Sequence, residues 1–302
     1  CRKLIDYVVQ QSLNALSFGA EYALIALGLA IVFSIMGLVN FAHGEVIAIG
    51  GYSMMVMAAI AFRNPIIIIV GAIFASVIMA VFLERIAFRP VRYADATTGL
   101  LTAFGVSLIL QNLFLLLVSP RPIAVTSMYF LDWPIKLGSI RISSLQIFET
   151  VATLLAILFL VLFLKRSFLG IAMRAASLDF EMVRLMGIRA NRVIATAFAI
   201  SGFLAGIAAI FIIARRGAVD PTLGFNPVLK AFVACVVGGF GSLTGAVLGG
   251  FLLGALEVGM LVILPQSYGG MKDAFVFAVI AIILVWRPEG ILSPQKEKGD
   301  KI

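Results

Sequence analysis

The sequence predicts an all-α integral membrane protein with about 8–9 membrane segments, some broken or re-entrant. Two observations carry this. Of 302 residues, 62% are hydrophobic and only 13% charged, and the mean hydropathy is +1.12, values at which a chain does not stay soluble as one globular domain. Apolar runs long enough for a hydrocarbon core of roughly 30 Å also recur from end to end. The alternating ten-residue pattern of a β-barrel is absent. Residues 1–302 read as one transmembrane domain.

Taken in order, the apolar runs place helices near 12–36, 42–62, 65–84, 98–118, 145–164, 193–214, 227–237, 244–264 and 271–286. Arg85, Arg89 and Arg92 mark one connection between them, and Lys165, Arg166, Arg174, Arg184, Arg189 and Arg192 another. Short loops rich in Lys and Arg face the cytoplasm, so both belong inside, two helices apart. The segment between those helices then lies outside, with Tyr129 and Trp133 suited to the headgroup zone. The C-terminal run from Arg287 belongs inside. Counting backward puts the N-terminus outside, whereas Arg2 and Lys3 favour inside. Either the first helix follows the weaker signal, or a broken or re-entrant segment near 37–65, where glycines and polar residues cluster, changes the parity.

The net charge of +8 lies in these connections rather than on one polar face, which argues against a nucleic-acid partner and for the lipid bilayer. Cys1 and Cys235 give no supported disulfide, and Cys235 sits in an apolar run. A start at Cys1 without a leader pattern reads as trimming rather than as a lipoprotein. With one histidine and no nucleophile–base or metal-ligand spacing, neither a catalytic nor a metal site is expected.

The long basic connection is organised. Ile171, Met173, Leu178, Met182, Leu185 and Met186 interleave with Arg174, Asp179, Glu181 and Arg184, which predicts a short amphipathic helix stopping at Gly187. Such a helix either anchors in the cleft of a partner protein or rests on lipid headgroups. Farther on, Gly238, Gly239, Gly241, Gly245, Gly249 and Gly250 crowd one stretch. Without an accompanying Lys, Asp or strand pattern they favour close helix packing over a phosphate loop. Gly245 and Gly249 form a G-x-x-x-G, and 238–242 suits a re-entrant turn or flexible gate.

Polar residues inside apolar runs are costly and mark function or buried pairing. In "NFAHGE", Asn40 either caps a helix starting at Phe41, with His43 and Glu45 satisfying neighbours, or the helix start lies inside the membrane and lines a passage. Glu21 and Glu257 read as isolated intramembrane carboxylates; Glu21, with Tyr22 and Asn14, forms either a structural seam or a pathway face. Arg215, Arg216 and Asp220 are expected on the outer side, either meeting a binding protein or forming a solvated turn.

Several of these stretches carry one resemblance. "YALIALGLAIVFSIMGLVNFAHGEVIAIGGY", "ERIAFRPVR", "GIAMRAASLDFEMVRLMGI", "VVGGFGSLTGAVLGGFLLGALE" and "RPEGILS" resemble the branched-chain amino acid ABC transporter permeases, the shorter of that system's two permease types, over nearly the whole chain. The resemblance implies a polytopic subunit of an importer in the bacterial inner (cytoplasmic) membrane. Its partners would be a second homologous permease, two cytoplasmic ATPase subunits and a periplasmic substrate-binding protein. It further implies that 165–192 is the coupling loop, with Arg174, Ala175, Ala176, Asp179, Glu181, Met182 and Gly187 at the ATPase, although the acidic positions depart from the usual motif. ATP would be used by the partners and no cofactor bound here, in keeping with the lack of a G-x-x-x-x-G-K-[ST] loop. Under that reading Asn40, His43, Gly44, Glu45, Glu21 and Tyr22 are the pathway candidates. Urea, short amides or other amino acids are alternative substrates. A self-sufficient channel or ion-coupled carrier is the alternative mechanism.

Overall fold

The computed structural model of the chain describes residues 2–60, 64–92, 94–125, 132–137, 140–288 and 290–292. Among these, seven helices are long and apolar enough to cross a membrane. In chain order the helices are α1 (Arg2–Met36), α2 (His43–Ala59), α3 (Pro65–Leu83), α4 (Arg89–Val91), α5 (Ala96–Leu117), α6 (Ser144–Arg166), α7 (Phe168–Leu178), α8 (Phe180–Leu185), α9 (Ala190–Arg216), α10 (Phe225–Gly238), α11 (Leu243–Ile263) and α12 (Lys272–Trp286). A π-helical turn, Glu84–Phe88, joins α3 to α4.

The spans α1 and α9 form the centre of the bundle: 78% of the apolar window of each is buried, against 11–39% for the other long helices. Their sequences explain why. Ala20, Ala23, Ala26 and Ala30 on α1 and Ala205, Ala208 and Ala209 on α9 let neighbouring backbones approach closely. Gly250 and Gly254 bring α11 onto the backbone of α1 at Ala23 and Gly19, where a side-chain carbon at either glycine would overlap. The peripheral helices keep exposed leucine, isoleucine and phenylalanine faces, which lipid would cover.

Both basic connections lie at one end of the bundle, where Arg92 donates to Asn191 at 2.6 Å and pairs with Glu84 at 3.1 Å. The far end carries two small sheets. The hairpin β2 (Pro134–Leu137) and β3 (Ile140–Ser143) pairs antiparallel. The strands β1 (Ile123–Ala124) and β4 (Ala218–Val219) pair as Ile123 with Val219 and Ala124 with Ala218. Trp133 lies at this end and packs edge-on against Phe148 at 5.9 Å, whereas Tyr129 falls outside the described residues. The N-terminal part of α1 is at the far end as well, because the Arg141 amide donates to Gln10 at 2.9 Å. The parity conflict is thereby resolved in favour of the count from the basic loops. The chain is broken at 37–42, yet α2 completes that crossing, so the break does not change the parity.

The basic connection departs from the expected single amphipathic helix. It forms two helices, α7 and α8, divided at Asp179, whose extended backbone (φ −149°, ψ 105°) cannot continue a helix. Its carboxylate accepts from the Met182 amide at 2.9 Å and so caps α8. Gly187 follows α8 with φ +77°, the left-handed conformation expected where the helical stripe stops.

Candidate functional site

Two apolar helices within the bundle, α2 and α10, are too short to cross it alone. At about 1.5 Å per residue, α2 and α10 rise roughly 25 and 21 Å, less than the hydrocarbon core. Both begin inside the bundle. The start of α2 is fixed by His43, whose Nδ1 lies 3.1 Å from Ser201 Oγ, midway along α9. From there α2 runs beside α9 toward the far end, with Gly50 against Ala209 and Gly51 against Ile213. α10 begins at the same depth, because the Gly44 carbonyl of α2 lies against Gly224. It then runs to the basic end, where the backbone amides of Ile291 and Leu292 donate to Val237 and Gly238 at 2.8 and 3.0 Å. The two interrupted helices thus start against each other and leave in opposite directions, with the positive ends of both dipoles at one place in mid-depth.

The breaks follow from the local sequence. After α1, Gly37 adopts φ +67° and the chain turns back. The amides of His43, Gly44 and Glu45 donate to the carbonyls of Asn40, Phe41 and Ala42 at 3.2, 3.4 and 3.1 Å, so the first turn of α2 satisfies itself by tightening. This corrects one reading of Asn40. The helix starts at His43 rather than Phe41, its N-cap is Ala42, and no side chain caps it. Asn40 is buried, and its side-chain oxygen has no hydrogen-bond partner among the described residues. On the other side, Phe225 donates to Thr222 at 3.1 Å, and Pro227 has no amide proton to offer.

The remaining pathway candidates do not share one surface. Glu45 is buried and accepts from Ser107 at 3.0 Å and Gln111 at 2.9 Å, which ties α2 to α5. Glu21 and Tyr22, neighbours in sequence, point into different clusters. Glu21 pairs with Arg215 at 2.8 Å, and Arg215 also holds Glu149, which accepts from Ser17 at 2.6 Å. Tyr22 donates to Glu257, which also takes Lys230 at 3.0 Å and Lys272.

Both intramembrane carboxylates therefore have cationic partners, so neither Glu21 nor Glu257 is isolated. Arg215, in the last turn of α9, lies at the far end opposite the basic loops as expected, and it is also the hub of an ion cluster, with the Phe18 ring 4.5 Å from its guanidinium. Arg216 is beside it at the same end, 3.7 Å from Asp220. Sequence reasoning missed Glu149 and Lys230, although each is a lone charge in an apolar run and the cost of burying it was the available signal.

The glycine-rich stretch forms a tight hairpin between α10 and α11. Gly239 and Gly241 take φ +106° and +87° at the turn, and carbons added at Gly245 or Gly249 would overlap the carbonyls of Gly238 and Ala234. Close packing of the G-x-x-x-G is thus observed, against α10. At the basic end, Ala176 on the inner face of α7 is buried, while Arg174, Ala175 and Met182 are exposed and Leu178 is 91% exposed. Nothing is described of the Glu181 side chain. Among the described residues no group of three His, Cys, Asp or Glu could hold a metal ion.

A family model described as "Branched-chain amino acid transport system / permease component" matches residues 11–284. The chain is 37% identical over 306 residues to the high-affinity branched-chain amino acid transport system permease protein BraD of Pseudomonas aeruginosa, covering 97% of this chain and 99% of that protein. To LivH of Escherichia coli K12, a permease protein of the same description, it is 37% identical over 304 residues, with 97% and 98% covered. The xylose transport system permease protein XylH of Escherichia coli K12 is 31% identical over 179 residues, or 56% of this chain and 45% of that one.

Proposed function

Since the chain belongs to the branched-chain amino acid transport permease family, we propose that it passes branched-chain amino acids as one of two permease subunits in an importer of the bacterial inner membrane. A periplasmic binding protein supplies the substrate and two cytoplasmic ATPase subunits supply the energy. Full-length similarity to two permeases of that description is the observation that favours this substrate over urea or short amides.

The geometry is suited to the task. An aliphatic zwitterion needs an apolar route with few fixed charges, and here Glu21 and Glu257 each have a cationic partner, while Glu45 is held by Ser107 and Gln111. The two helix starts at Gly44 and Gly224 give a carboxylate a transient positive end without a bound cation. Their tightened first turns leave few free amides, which makes any such contact weak, as passage requires. Asn40, with its unpaired buried oxygen, would respond to small shifts of that junction.

Energy would enter through α7 and α8. Leu178, Met182, Leu185 and Met186 are exposed at the basic end, in the arrangement of an amphipathic anchor for an ATPase cleft.

Competition decides the substrate. In vesicles holding the assembled importer, unlabelled leucine, isoleucine and valine are expected to suppress uptake of labelled leucine, and urea and acetamide to leave it unchanged. Suppression by the amides and not by valine would contradict the proposed substrate class.

A further inference from the structure

Helix α10 is pinned at its end by the hairpin to α11 and by Ile291 and Leu292, whereas its start hangs on a turn. It is preceded by the turn at 221–224 and followed by the glycine turn at 239–242. Its first turn meets α2 through Gly224 and Gly44, neither of which has a side chain to grip the other. Its sequence, "FNPVLKAFVACVVG", holds a single charged residue, Lys230.

That lysine is the centre of a four-helix tie. Its ammonium lies 3.0 Å from Glu257 Oε1 on α11, 3.1 Å from Asp273 Oδ1 on α12 and 3.4 Å from the Tyr22 hydroxyl on α1. Glu257 is buried and saturated: Lys230 and Lys272 share Oε1, and the Tyr22 hydroxyl donates to Oε2. Lys230 and Lys272 balance Glu257 and Asp273, so the tie carries no net charge. A charged group in a half-helix inside the bilayer is retained at a cost, and this one serves neither the junction nor the basic end directly.

We propose that the Lys230–Glu257 ion pair is the positioning element that holds α10 in register with α2 at the mid-depth junction, so that transport depends on it although neither residue touches substrate. The transport half of this rests on the function proposed above; the positional half does not.

The test separates the two halves. In a background of Cys1→Ser and Cys235→Ala, Asn226→Cys places a thiol at the start of α10, and its rate of reaction with N-ethylmaleimide, which enters the membrane, reports the surroundings of that start in liposomes. The double variant Lys230→Met with Glu257→Gln removes the pair while keeping the remaining Lys272 and Asp273 in balance. It is expected to change the labelling rate at least about tenfold and to lower leucine uptake by the assembled importer to a similar degree, since α10 then loses its ionic link to α11. Lys230→Arg, which keeps charge and reach, is expected to restore both. Parental labelling in the double variant would overturn the positional claim, and altered labelling with parental uptake would overturn the link to transport. If the double variant does not assemble, Glu257→Asp decides: it keeps the charge but shortens the reach, and parental labelling and uptake in that variant would overturn the proposal. Should the parental importer fail to carry leucine, the labelling arm still reads the tie alone.

Discussion

Gly44 and Gly224 meet backbone to backbone where two interrupted helices begin, and a carbon added to either would overlap the other's peptide group. Alanine at position 224 must push α2 and α10 apart. Overpacking of this kind costs about 1–3 kcal/mol. Gly224→Ala is expected to lower the midpoint of thermal unfolding in detergent and to abolish uptake by the assembled importer; parental values for both would show that the junction tolerates separation.

A single guanidinium, that of Arg215, pairs with two carboxylates, Glu21 and Glu149. Its loss leaves both without a cationic partner inside the bundle, where breaking a buried pair costs about 3–5 kcal/mol. Arg215→Met is expected to reduce the folded yield of the chain strongly, and the triple variant with Glu21→Gln and Glu149→Gln to recover much of it. Urea or thermal unfolding followed by size-exclusion chromatography checks both.

The bundle and its ends were largely legible from the sequence because helix spans need only length and hydropathy, and topology only the basic loops. The half-helix starts were half legible. Asn40, His43 and Glu45 marked the break, but Asn40 promised a cap that the chain did not make, because the first turn of α2 tightens onto its own carbonyls. Pairings between distant charges were not legible: that Glu21 meets Arg215 and Tyr22 meets Glu257 depends on how α1 sits against α9 and α11. The division of the basic loop at Asp179 was hidden as well, since an aspartate fits a helix face and a helix cap equally well until the backbone is seen.

Gly187 holds φ +77° with nothing within 4 Å of an added side-chain carbon, so the strain of a substitution there is in the backbone alone. A β-branched residue in that region costs about 1–2 kcal/mol. Gly187→Val is expected to leave membrane insertion unchanged and to weaken ATP-coupled uptake severalfold. Normal coupling would make the loop a plain surface connection.

Glu45 accepts hydrogen bonds from Ser107 and Gln111, and Asn40 presents a buried oxygen without a partner. If these residues serve passage, Asn40→Ala and Glu45→Gln are expected to assemble and to retain basal ATP hydrolysis while import falls. Import at the parental rate in both assembled variants would remove them from the pathway.

The most direct measurement compares leucine uptake into vesicles containing this chain alone with uptake into vesicles containing the assembled importer, each with and without ATP. Concentrative uptake is expected only in the assembled importer and only with ATP, and the purified chain is expected to hydrolyse none. Concentrative uptake by the chain alone, or ATP hydrolysis by it, would contradict its assignment as a permease subunit that draws its energy from partner subunits.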